Sequence, residues 1–192
     1  MHVGVVESWL DRIGLGVGDL ECGLPEPRAR GFEATSSVTG AMHQCSGNHA
    51  GFLTTARFFG ESTQGYIWPT HPAQRRVFSV LEELAGIDVG LAPKGTDGCG
   101  IPVVGIPLKN LATAVARLAD PADLPERRAV AARRIVEAMY REPVLVAGKG
   151  RLCTGVMQSA KRPMMVKMGV TSERLEEHKQ AIIRNAKKEK RA

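Results

Sequence analysis

The residues best suited to do chemistry crowd into positions 43–52, His43-Gln44-Cys45-Ser46-Gly47-Asn48-His49-Ala50-Gly51-Phe52. A thiol, a hydroxyl and two imidazoles fall here among small residues. A helix starting near Ser46 puts Cys45 and His49 one turn apart on one face. A second thiol follows in a similar setting, Gly95-Thr96-Asp97-Gly98-Cys99-Gly100-Ile101-Pro102. Cys45, His49 and Cys99 suit Zn²⁺, for which three protein ligands and one open position make a catalytic centre. With no CxxC pair, the same residues also suit two buried structural cysteines and an ordinary histidine. Ser46 beside His49 could be a nucleophile and its base, or simply a helix N-cap. Asp97 is typical of a turn, and His71 before Pro72 reads as a capping or packing residue. Lys167, between Val166 and Met168, is either a half-buried base or a lysine facing solvent from an edge strand. Gly148-Lys149-Gly150-Arg151 lacks the spacing of a phosphate loop. Cys22 and Cys153 have no evident partner and read as core.

The elements that would position these groups are mostly helical. Val3, Val6, Trp9, Leu10 and Ile13 form a stripe that Gly14 ends. Phe52, Leu53, Ala56 and Phe59 extend the central helix from about Ser46 to Phe59. Tyr66-Ile67-Trp68 falls in an exposed or half-buried loop. Pro72 opens a helix with Val77, Val80, Leu81 and Leu84 inward and Gly86 closing it. Residues 88–107 are rich in Gly and Pro, with a turn, Cys99, then a short extended segment. Further helices are expected over 108–118 and 124–141, the latter with Ala129, Ala132, Ile135, Val136 and Met139 inward. Pro143 breaks it. A short helix surrounds Cys153, and 164–168 reads as a strand. The expected class is α+β and helix-rich, with too few strands for an independent sheet.

Composition narrows the function. The chain of 192 residues is long enough for one real core, and its charged fraction of 24% is ordinary. No apolar run is long enough to span a membrane, and no basic segment precedes an apolar one at the N-terminus. A cytoplasmic protein with reduced or metal-bound thiols is the expectation. Much of the net charge of +6 sits in 184–191, where Glu189 is the only acid. That tail has no aromatics among its charges, which argues against nucleic acid.

At these motifs the sequence resembles the rhizobial-type (thermolabile, inducible) L-asparaginase family. The matching pieces are Leu20-Glu21-Cys22-Gly23, Cys45-Ser46-Gly47-Asn48-His49-Ala50-Gly51, Pro69-Thr70-His71-Pro72-Ala73-Gln74, Gly95 to Pro102, and Val146 to Thr154. Their order and spacing fit over roughly residues 2–169. The resemblance implies a serine amidohydrolase with a fold like that of serine β-lactamases and penicillin-binding proteins. It implies hydrolysis of L-asparagine to L-aspartate and ammonia, in which the Ser of a Ser-x-x-Lys segment attacks and lysines handle protons. It also implies a homodimer and a zinc-like metal beside the site. Cys45 and Cys99 correspond to metal ligands, Asp97 to a metal-adjacent support and Lys167 to an active-site lysine. Asn48 replaces the lysine of the family's Cys-Ser-Gly-Lys-His. His49, one position on, compensates only where the helix turns it inward.

The resemblance further implies a fragment, starting past the nucleophile segment and missing the C-terminal part with most of the sheet. The expected organisation is a partial asparaginase domain over 1–170 and a charged helical tail over 171–192, with no turnover by this chain alone. The rival expectation is a small helical metal-binding or interaction module whose basic tail meets an acidic partner.

Overall fold

The computed structural model describes residues 1–24 and 38–159. Lys167, the extended run around it and the charged tail lie outside the described residues. Seven α-helices and one two-stranded hairpin occur among the described residues. This is the helix-rich α+β architecture expected. No helix is long and apolar enough to cross a membrane. The chain divides into two compact units, residues 1–114 and 115–192.

In the first unit, α1 (His2–Arg12) buries Val6 and Leu10. Gly14, at φ 71°, turns the chain out of α1, a conformation that favours glycine. α2 (Ser46–Phe59) has the bounds expected from its apolar spacing and buries Ser46, His49, Ala50, Phe52, Leu53 and Ala56. Gly60 ends it in the left-handed region. Ser46 is not its cap, because the helix begins one residue earlier than a serine cap requires and Cys45 takes that position. α3 (Pro72–Ala85) starts with Pro72, and His71 Nδ1 accepts the Ala73 N–H at 3.1 Å. His71 is therefore a capping residue.

β1 (Lys94–Thr96) pairs antiparallel with β2 (Pro102–Val104), Lys94 opposite Val104 and Thr96 opposite Pro102. The second strand falls within the expected extended segment. The first was not expected, since Lys-Gly-Thr carries no apolar alternation. The core gathers Val6, Leu10, Leu20, Cys22, Ala41, Ala50, Phe52, Leu53, Tyr66, Ala73 and Cys99. Tyr66 corrects the expectation of an exposed or half-buried loop residue: it is fully buried, while Trp68 two positions on is exposed.

α4 (Leu108–Ala119) carries an apolar stripe, yet Leu108, Leu111 and Val115 are exposed. In the second unit, α5 (Glu126–Arg141) buries Ala129 and Ala132. Ile135 and Met139, expected inward, are exposed. Pro143 separates α5 from α6 (Pro143–Ala147) as expected. α7 (Leu152–Ser159) follows, with Thr154 buried and its hydroxyl donating to Gly148 O at 2.6 Å. That inward threonine leaves Cys153, its neighbour, on the exposed side. Cys153 is thus not a core residue, whereas Cys22 is.

Candidate functional site

Cys45 stands at the N-terminal end of α2, where the chain turns sharply. His43 Nδ1 accepts the Cys45 N–H at 3.0 Å, and the Ser46 N–H bonds His43 O at 3.0 Å. His43, itself buried, thereby sets the direction in which the thiol leaves the backbone. Cys99 and Asp97 come from the loop joining β1 to β2. That loop is tight: the Asp97 N–H bonds Ile101 O at 2.8 Å and the Gly100 N–H bonds Asp97 O at 2.9 Å. Gly100 sits at φ 88°, and a Cβ there would meet Ile67 Cδ1 at 3.3 Å. The backbone conformation calls for glycine beside Cys99.

These two turns bring three donor atoms together. The sulfurs of Cys45 and Cys99 and a carboxylate oxygen of Asp97 all lie within 4.8 Å of one another. The Cys99 thiol donates to Asp97 Oδ2 at 3.3 Å. Cys99 is buried, Cys45 half-buried and Asp97 exposed, so the cluster runs from the core to the surface. Burial pushes the Cys99 thiol up to about 12, and its hydrogen bonds with Asp97 and Cys45 act in the same direction.

His49 is not part of this cluster. α2 does turn it inward, and it is fully buried. Its Nδ1 lies 2.8 Å from the Tyr66 hydroxyl, and its ring packs edge-on against Tyr66 at 5.4 Å. Its Nε2 has no hydrogen-bond partner among the described residues. Burial holds the imidazole down at about 4, with His43 acting in the same direction and Asp97 against it. The Tyr66 oxygen also accepts the Glu21 N–H at 2.7 Å. Glu21 Oε1 in turn accepts the Gly65 N–H at 2.7 Å, and Gln74 Nε2 donates to Tyr66 O at 2.8 Å. Tyr66 is thus held from both sides and locks His49. Asn48 is exposed in the first turn of α2, and Ser46 is buried.

The sequence pattern of the L-asparaginase II family matches residues 1–175. The chain belongs to the L-asparaginase II family. The match spans the whole three-donor cluster as well as Lys167. No curated protein matches the chain. Membership of the L-asparaginase II family points to asparaginase-type amide hydrolysis as the chemistry and to asparagine as a small-molecule substrate.

Two residues around these turns were given no role of their own by the sequence, His43 and Tyr66. His43 carries a signal in its spacing, since a His two positions before a Cys can accept that residue's N–H. A signal for Tyr66 lies in the Gly65 before it, which lets the chain turn in at φ 69°.

Proposed function

We propose that this chain is part of an asparaginase that hydrolyses L-asparagine to L-aspartate and ammonia, with a zinc-like ion held by Cys45, Cys99 and Asp97. The observation that carries the reading is the convergence of two thiols and a carboxylate from two separate turns within 4.8 Å, in a chain of the L-asparaginase II family. Two sulfurs on one tetrahedral zinc lie about 3.8 Å apart, so this donor set fits such an ion with little movement. Soft thiolates favour zinc over magnesium or calcium. When bound, the ion would act as a Lewis acid beside the reacting amide.

The protein's own residues have separable tasks in this reading. His43 aims Cys45, and Gly100 keeps the loop tight enough for Cys99 to face it. Asp97 holds the Cys99 proton when the site is unloaded and supplies the exposed third donor when it is loaded. Asn48, at the surface of the first turn of α2, gives the fourth position a neutral amide in place of the family's lysine, which weakens the site. Lys167 carries protons during amide cleavage. The helix-rich body supports placing the chain within the serine β-lactamase and penicillin-binding-protein type of fold.

None of the serines in the 192 residues is followed by Lys three positions later. We therefore assign no attacking hydroxyl to this chain and expect no ammonia release from it alone. The test is metal analysis of the purified chain alongside an ammonia-release assay on asparagine. About one zinc per chain is expected, lost in Cys45→Ser and in Cys99→Ser. Absence of zinc from the unsubstituted chain after incubation with the metal would end the metal assignment. Robust ammonia release would overturn the missing-hydroxyl assignment and make Ser46 the first residue to substitute.

A further inference from the structure

The same two sulfurs that could share a metal are also placed to bond to each other. We infer that Cys45 and Cys99 form a reversible disulfide on exposure to hydrogen peroxide, making Cys45 an oxidation site and Cys99 its resolving thiol. The inference stands on the positions of the two thiols and does not need the metal assignment to hold.

Access differs between the two sulfurs in the way such a pair requires. Cys45 is half-buried and open to a small oxidant, whereas Cys99 is buried and shielded from direct attack. Their sulfurs start no more than 4.8 Å apart. Bonding needs an approach of under about 3 Å more, which is what one χ1 rotamer change gives a sulfur, about 3 Å. Neither thiol lies within a helix or strand: Cys45 precedes the first helical residue of α2, and Cys99 lies in the β1–β2 loop. Cys22 is the competing thiol, near enough to Cys45 for the two to interact. Cys22 is buried, with its thiol directed at Gly40 O at 3.5 Å and Gly23 O at 3.6 Å.

The chemistry balances without a further reagent. The Cys45 thiolate attacks one peroxide oxygen, the O–O bond breaks, and the leaving hydroxide takes a proton to become water. The Cys99 sulfur then attacks the Cys45 sulfenic sulfur, the S–O bond breaks, and the departing hydroxide takes the Cys99 proton as the second water. Two thiols and one peroxide give one disulfide and two waters, a two-electron oxidation of sulfur that a dithiol reverses. A pair of sulfurs bonded to each other no longer offers two thiolates to a metal. Oxidation and metal loading therefore exclude one another, and the centre becomes sensitive to peroxide only when empty.

The test uses the full 192-residue chain, reduced and stripped with a chelator, then treated with hydrogen peroxide, alkylated and mapped by mass spectrometry. The expected main product is a Cys45–Cys99 linked peptide with a loss of about 2 Da, reversed by dithiothreitol. Preloading with Zn²⁺ is expected to slow its formation at least tenfold. Cys45→Ser, at the half-exposed position, should abolish the link and leave Cys99 reduced. Because mapping of the unsubstituted chain reads the link directly, a Cys99 variant that fails to fold does not affect the result. Cys45 carried on to the sulfinic acid with Cys99 still reduced would overturn the inference. So would a main product linking Cys22 to Cys45, or two chains through Cys153. A Cys45–Cys99 link that forms equally fast with and without Zn²⁺ would instead sink the metal assignment and leave the disulfide standing.

Discussion

Replacing Tyr66 with Phe removes one oxygen from the most enclosed part of the first unit and leaves the ring in place. The phenol is fully buried. Its oxygen accepts the Glu21 N–H at 2.7 Å and pairs with His49 Nδ1 at 2.8 Å. The ring itself packs against His49 at 5.4 Å and Phe52 at 6.2 Å between centroids, contacts that Phe retains. The substitution therefore isolates two hydrogen bonds. Both partners are left without the hydroxyl, and an orphaned buried polar group costs about 1–3 kcal/mol. Nε2 of His49 already has no partner among the described residues, so losing Nδ1 as well strands the imidazole. We expect a destabilisation of about 3 kcal/mol. In urea unfolding this lowers the midpoint by about 2 M for a slope near 1.5 kcal/mol per M, with the slope itself unchanged. A double-mutant cycle with His49→Phe should then show coupling of about 1 kcal/mol or more between the two positions. If Tyr66→Phe shifts stability by less than about 0.5 kcal/mol, the typical effect of an uninvolved surface change, the hydroxyl does not hold His49 and the account of this cluster is wrong.

His49 also sets a pH dependence. Its folded value is about 4 against an ordinary 6.5, so the unfolded chain binds a proton at 6.5 that the folded chain takes only near 4. Stability is therefore full above pH 6.5, falls as the pH drops through that window, and levels off below it, a loss of about 3 kcal/mol. Urea midpoints at pH 7 and pH 4.5 measure it, and the slope should flatten in His49→Gln; an equal slope in that variant rejects the assignment. Leu53→Ala, at a fully buried position of α2, should cost about 3 kcal/mol through the cavity it leaves, read by chemical denaturation. In the proposed metal centre, Asn48→Lys should raise zinc affinity by about tenfold by replacing the weak amide at the fourth position, measured by competition with a chromogenic chelator; no gain would show that this exposed position does not reach the proposed ion.

How much of this was legible in the sequence depended on whether the signal was local. α2 ends where its apolar spacing meets Gly60, and α3 begins at His71-Pro72, because capping and helix-breaking are decided within a few residues. The three-donor cluster is the opposite case. Cys45 and Cys99 are far apart in sequence, and spacing alone favoured buried structural cysteines over metal ligands. Family resemblance, not periodicity, brought them together. His49 shows why the residues alone could not choose. The i, i+4 spacing puts Cys45 and His49 on one side of a helix, but it says nothing of how far each side chain reaches or what it meets. Tyr66, from a loop that spacing had left near the surface, takes up Nδ1 and keeps the imidazole in the core. Ile135 and Met139 make the same point on α5. A helical stripe names the face that would be buried, and Ala129 and Ala132 on that face are buried. Whether the stripe is covered along its whole length is decided by what lies opposite, and no residue of the helix encodes that. The apolar stripe of α4, with Leu108 exposed at 81%, follows the same logic. Amphipathic spacing is a property of one segment, whereas burial is a property of two.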